Sequence, residues 1–261
     1  LRELSETVQM RKQDIHIGLS AFNNSYWKGI FYPEDLPRSK WFEYYTKHFK
    51  TYELNGTFYR KPTIKSLQNW HDKVPGDFLF SVKAPKTITH LKKFIDCDDD
   101  IAEFYTVCRE GLKEKLAYVL FQLPPSFDYS PERLQIIVQH MNPDFKNIIE
   151  FRNKSWWNNE VYATFVKNNL VFCSVSYPKL PEDILSQSCS AYVRLHGRPK
   201  LFYSDYSTEE LCALTNVLMS NDDCREVFIY FNNTASESGI VNALKLKELI
   251  ASAKEAPLEI K

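Results

Sequence analysis

Ile148-Ile149-Glu150-Phe151-Arg152-Asn153-Lys154-Ser155-Trp156-Trp157 is the stretch whose reading decides the fold. An apolar run closes on Glu150 and Arg152, and polar and aromatic residues then open what reads as a helix. Side chains at i and i+2 of a strand lie on one face, so Glu150 and Arg152 should leave the strand end together. The same pairing recurs at Glu53/Asn55, at Arg194/His196 and, less cleanly, around Asn232 and Asn233. A chain that ends strand after strand in paired polar groups is assembling one site from many strands.

The unit repeats on both sides of that stretch. Upstream, Ile15 to Leu19, Thr51 to Leu54, Phe78 to Lys83 and Ala117 to Phe121 read as strands. Helices are expected over about Arg38 to Phe49, Ile64 to Val74, Asp99 to Lys115 and from Ser130-Pro131, with His90 in a loop. Ser130 and Pro131 suit a helix start because serine accepts from free amides and proline fits the first turn. Downstream, a helix turns Val161 and Phe165 inward, and strands follow at Val171 to Val175, Ala191 to Leu195 and Val227 to Phe231. Ser207-Thr208-Glu209-Glu210 reads as a capping box, and a last helix covers about Ser238 to Ile250. About eight nearly continuous apolar strands, most followed by a helix, fit parallel β-α units. The expected class is α/β, a TIM-like (β/α)₈ barrel in a single domain over 15–253. An N-terminal tail or short helix (1–14) precedes it and a C-terminal tail (254–261) follows. A doubly wound open sheet is the alternative, but no G-x-G-x-x-G or G-K-[ST] loop supports it.

Composition narrows the partners. The 261 residues carry 33 basic and 33 acidic side chains, which argues against a surface tuned as a whole to nucleic acid or anionic lipid. The longest apolar runs fall far short of the roughly 20 residues that span a bilayer, so no membrane partner is expected. Leu1 to Gln13 is charged and lacks the apolar centre of a secretory signal. Six cysteines without C-x-x-C spacing read as reduced thiols, which suits the cytoplasm.

The motifs resemble those of the YecE-like family, uncharacterised proteins with a TIM-barrel-like fold. They include Phe31-Tyr32-Pro33, Glu53-Leu54-Asn55-Gly56-Thr57-Phe58-Tyr59-Arg60, Phe80-Ser81-Val82-Lys83-Ala84-Pro85 and Thr89-His90. Leu120 to Phe127, Glu150-Phe151-Arg152, Tyr192 to Arg198 and Tyr230 to Asn233 continue the match, which runs from about Ile15 to about Leu249. The chain departs from the family pattern at Ser20-Ala21-Phe22, where a glycine-containing turn is usual, and at Ser176, near a common acidic position. The resemblance implies the barrel and supplies no reaction.

Function is therefore read from the strand ends, which in such a barrel converge at the C-terminal face. Lys83, Arg152 and Arg194 suit an anion such as phosphate or carboxylate, since arginine offers a planar fork of donors and lysine a point charge. Asn55, Gln122, Asn232, Asn233, His90 and Tyr59 would orient the substrate. His196, Glu150 and Glu53 are the expected acid/base groups. The competing reading is a salt-bridge lattice in which Glu53 and Glu150 neutralise the cations. The expectation is an enzyme, a hydrolase among the options, acting on a phosphate ester or nucleotide-like substrate. One alternative is a single-stranded nucleic-acid-binding module using the aromatic rim of Phe22, Tyr26, Trp27, Phe58, Tyr59, Trp156, Trp157, Phe202, Tyr203 and Tyr206. Another is a carbohydrate-active barrel built on Glu53 and Glu150. No cofactor motif is evident. A divalent metal is a minor alternative, because no H-x-H or H-E-x-x-H spacing occurs.

Overall fold

Parallel strands covered on both faces need continuous apolar runs, and eight such runs pair in chain order into a closed barrel. They are β1 Asp14–Leu19, β2 Thr51–Leu54, β3 Leu79–Lys83, β4 Leu116–Gln122, β5 Asn147–Glu150, β6 Leu170–Ser176, β7 Ser190–Leu195 and β8 Glu226–Phe231. Every neighbouring pair is parallel, and β8 closes on β1 with Leu19 opposite Phe231. The computed structural model describes residues 13–185, 189–221 and 224–255. The short helix considered for the N-terminus lies outside them.

Helices α1 Trp41–His48, α2 Gly56–Tyr59, α3 Ile64–His71, α4 Asp98–Leu112, α5 Pro131–His140, α6 Asn159–Lys167, α7 Thr208–Met219 and α8 Ser238–Glu255 form the outer layer. Their starts follow local chemistry. Ser130 Oγ accepts from Arg133 N at 3.3 Å to cap α5, and Ser207 and Glu210 make the reciprocal capping box of α7. Among the described residues no helix follows β6. A cavity of about 260 Å³ lies against α7 there, walled by Val175, Val193, Leu195 and Leu214. No helix among the described residues is long and apolar enough to cross a membrane.

Alternation sorts each strand between two clusters. Tyr118, Leu120, Ile148, Cys173, Tyr192 and Tyr230 fill the barrel interior, while Phe121, Ile149, Phe172, Val193 and Phe231 pack outward under the helices. Gly18 of β1 faces β2 so closely that a Cβ there would sit 2.5 Å from Thr51 O.

Three segments differ from the sequence expectation. The stretch after Glu150 first forms a 3₁₀ turn, Lys154–Trp156, and α6 begins only at Asn159. Asn153 Oδ1 accepts from Ser155 N at 3.1 Å and tightens that turn. Trp156 is thereby driven inward, stacked 4.1 Å from Phe151 with its indole N–H donating to Phe127 O. His90 lies in a π-helical turn, Thr87–Lys92, rather than an open loop. At the C-terminus α8 continues to Glu255, two residues past the expected barrel boundary.

A charged layer at the C-terminal barrel face

The inward parity that fills the barrel continues past its apolar part. Glu53, Lys83, Gln122, Glu150 and Arg194 are the next inward residues, with Asn55, Arg152, His196 and Asn232 just beyond them. All stand at the C-terminal strand ends. Closure of the barrel makes side chains from six strands neighbours.

Arg194 sits at the centre, fully buried. Its Nε and Nη2 donate to Glu53 Oε1 at 3.1 and 2.6 Å, and its Nη1 donates to Glu150 Oε2. Tyr192, two residues earlier on β7, donates its hydroxyl to Glu53 Oε2 at 2.7 Å. Burial opposes the charge on Arg194, but Glu150 and then Glu53 outweigh it and hold the guanidinium pKa well above its ordinary value. Glu150 is also fully buried. Burial pushes its carboxyl upward, yet Arg152 and Arg194 overcome that and keep it well below the usual carboxylate range. Its Oε1 makes no well-aligned hydrogen bond but is ion-paired with Arg152 Nη2.

A chain of polar contacts leads to His196. Arginine only donates, so Arg194 Nη2 at 3.5 Å turns Asn55 Oδ1 toward itself. Asn55 Nδ2 then faces Asn232 Oδ1 at 3.4 Å, which also accepts from Ser20 Oγ. The Asn232 side-chain amide meets His196 Nδ1 at 2.8 Å. His196 Nε2 also stands 3.3 Å from Glu150 Oε1. Arg152 Nη2, ion-paired with that oxygen, lies 3.0 Å from His196 Nε2 and, since arginine only donates, is a hydrogen-bond donor to it. Burial, followed by the charge on Arg152, holds the His196 pKa well below its ordinary value, so the ring is neutral.

Lys83 is the exception in this layer. It is 9% exposed, and no carboxylate among the described residues ion-pairs with it. Its Nζ donates to Gln122 Oε1 at 2.9 Å, and Gln122 is fixed by donating to Leu123 O at 2.7 Å. The Phe58 ring lies 4.2 Å from the amine. Burial, then Arg194, lowers the Lys83 pKa to about 7, against the weaker pull of Glu150 and Glu53. His90 stands edge-on to Phe58 at 4.9 Å. Burial, Lys83 and Arg152 lower its pKa to about 4.

Two carboxylates thus face two guanidinium groups, and the Lys83 amine is in excess. Arg152 contributes a second unused group. Its side chain is 7% exposed and its Nε is buried without a hydrogen-bond partner, while Tyr177 covers the guanidinium face at 4.0 Å.

Of the residues expected at the site, Glu53, Asn55, Lys83, Gln122, Glu150, Arg152, Arg194, His196 and Asn232 come together, with His90 beside them. Asn233 does not. One residue past Asn232 it has the opposite parity, and its amide donates to Ser204 O and Asn242 Oδ1. Tyr59 stands 77% exposed on the rim without a hydrogen bond to the layer. Tyr192 and Tyr177 were missed. Tyr192 shares the parity of Arg194 and was readable, whereas Tyr177, just past β6, carries no sequence signal. The aromatic rim divides, with Trp27, Trp156 and Tyr206 buried, Phe22, Phe58 and Trp157 half-buried, and Tyr26, Tyr59, Phe202 and Tyr203 exposed. Among the described residues, no three His, Cys, Asp or Glu side chains gather as a metal-binding group.

Residues 16–260 match the family model described as Protein of unknown function DUF72. The chain is 27% identical to UPF0759 protein YunF of Bacillus subtilis (strain 168) over 269 residues, covering 90% of this chain and 94% of that protein. It is 30% identical to UPF0759 protein YecE of Escherichia coli (strain K12) over 113 residues, 43% of this chain and 39% of that one. The solved structure of the DUF72 family protein TM1631 from Thermotoga maritima MSB8 superposes with a TM-score of 0.83 at 29% identity, covering 92% of this chain and 100% of that chain. The DUF72 family protein EF0366 from Enterococcus faecalis V583 shares the fold, with a TM-score of 0.79 at 20% identity over 91% and 95% of the two chains.

Proposed function

The chain belongs to the DUF72 family of proteins of unknown function, and from the chemistry of its barrel mouth we propose an enzyme that takes an anionic substrate, a phosphate ester or nucleotide-like molecule. One observation carries this reading. The charged layer keeps a cation in excess at Lys83 and a buried donor without a partner at Arg152 Nε. An unsatisfied buried donor costs about 1–3 kcal/mol, a cost that an oxyanion accepting from it would offset. Arg152 and Lys83 hold the anion in this reading. Arg194, Glu53, Glu150 and His196 are assigned to fixing Arg152 in place, because all four are fully buried and paired with one another. Proton transfer then falls to Lys83, since a general acid or base works best with its pKa near the working pH. The six free thiols support a cytoplasmic location.

No observation favours the other two readings. A nucleic-acid surface would lack Trp27 and Trp156 as stacking platforms, and a carbohydrate-active pair would need Glu53 and Glu150 free of their shared Arg194. The test is thermal melting with and without inorganic phosphate at matched ionic strength. A ligand that binds only the folded state raises the melting temperature. Phosphate should raise it for the native chain and not for Arg152→Gln. An equal shift in both proteins, or none in either, refutes the anion site.

A further inference from the structure

We propose that Lys83 is a carbonyl-reactive amine, whose Nζ condenses with an aldehyde or ketone group of the substrate to form an imine. The inference rests on the anionic-substrate reading and adds to it the second functional group that the substrate must carry.

The other lysines show what sets Lys83 apart. Lys40, Lys61, Lys92 and Lys146 end on carboxylates. Lys115 is also buried, but its ammonium donates to two backbone carbonyls, His71 O at 2.7 Å and Val74 O at 2.9 Å. Lys83 has one neutral acceptor, the Gln122 amide oxygen, and guanidinium groups on Arg194 and Arg152 within electrostatic reach. A lysine freed of its proton by desolvation and neighbouring cations is an activated nucleophile. The scaffold is rigid, as a reacting group requires. Lys83 ends β3, its carbonyl accepts from Thr57 Oγ1 at 2.6 Å, and Phe58 covers the amine. The Phe58 ring, Glu150 and Glu53 favour the ammonium, whereas burial and both arginines favour the free amine. The pKa of about 7 leaves both forms populated at neutral pH.

The step balances without a cofactor. The Nζ lone pair forms a bond to the carbonyl carbon, and one N–H proton passes to the carbonyl oxygen, giving a carbinolamine. The C–O bond then breaks and water leaves with the second N–H proton, giving the imine. Water reverses the sequence. Arg152 is placed to hold the anionic end of the same molecule.

The test treats the full chain at pH 7 with dihydroxyacetone phosphate or with acetone, adds sodium borohydride, and maps the lysines by mass spectrometry. Borohydride delivers hydride to the imine carbon and leaves a stable secondary amine. At pH 7 about half of Lys83 is neutral, against roughly one in 10³ for an exposed lysine. Lys83 should therefore carry at least about tenfold more adduct than any exposed lysine, with labelling rising through neutral pH. Inorganic phosphate should compete with dihydroxyacetone phosphate and not with acetone. Adducts spread over exposed lysines with none on Lys83 overturn the proposal, even if phosphate raises the melting temperature. Equal labelling of Lys83 by both probes, without phosphate competition or a melting shift, upholds the amine and removes the anion site instead.

Discussion

Replacing Lys83 with methionine removes the amine, keeps most of the side-chain volume, and measures the charge balance of the mouth. The Lys83 pKa falls from an ordinary 10.5 to about 7, which at 1.36 kcal/mol per unit is about 5 kcal/mol against the charged form. Below pH 7 the folded chain carries this buried ammonium while the unfolded chain keeps it in water, and the full penalty applies. Between pH 7 and about 10.4 the unfolded chain holds the proton and the folded chain does not, so stability rises with pH. Methionine removes this dependence. It also leaves Gln122 Oε1 without its donor, a loss of about 1–3 kcal/mol at every pH.

The difference between the two proteins should therefore change sign. At pH 6 Lys83→Met should be more stable by about 2–4 kcal/mol, and at pH 9.5, where most of the penalty is gone, less stable by about 1 kcal/mol. Urea denaturation at the two pH values in phosphate-free buffer measures this, and comparing the two proteins cancels every other titrating group. A stability difference that stays constant from pH 6 to 9.5 would show that Lys83 is comfortably charged, and would refute both the excess-cation argument and the reactive amine.

Other consequences follow from the same layer. Arg194→Ala leaves Glu53 and Glu150 buried without their shared cation and should cost about 3–5 kcal/mol in denaturant unfolding at pH 7. That cost should shrink as falling pH protonates the two carboxyls, and a loss below about 1 kcal/mol would mean that the lattice does not hold the mouth together. His196 should appear in ¹⁵N NMR as a neutral ring, with no titration between pH 5 and 8, because burial and Arg152 hold its pKa well below normal. A midpoint between pH 6 and 7 would show that burial and Arg152 do not hold the ring neutral. Gly18→Ala places a Cβ 2.5 Å from Thr51 O and should cost about 1–3 kcal/mol in thermal or urea unfolding.

Strand parity made both the barrel and most of its site legible in advance. Eight apolar runs at βα spacing leave few topologies open, and counting by twos from Glu53, Glu150 and Arg194 gives the inward set that the barrel brings together. The same counting, applied strictly, would have excluded Asn233 and admitted Tyr192. Local rules stop at partner assignment. Whether Arg194 meets a ligand or two carboxylates depends on how far β2, β5 and β7 stand from one another around a closed barrel, which no window of sequence contains. The rim misled for a related reason. An aromatic residue in a loop reads the same whether it packs, as Trp156 does on Phe151, or stands free, as Tyr59 does.

Neutrality is what makes the layer informative. A barrel mouth held for stability alone would gain from replacing its buried ions with well-packed apolar side chains, a change that is often neutral or stabilising. This chain instead buries Glu53, Glu150 and Arg194 completely, and Arg152 supplies the second cation that balances the two carboxylates. Such a lattice is costly to assemble, yet it holds Arg152 and His196 within a narrow geometry by directional contacts that apolar packing does not supply. Lys83 then stands beside it without a carboxylate. A purely structural lattice would gain most by pairing that last cation, and a glutamate in place of Gln122, which already accepts from it, would do so. The unpaired amine is thus the feature that a stability argument does not account for and that a ligand does.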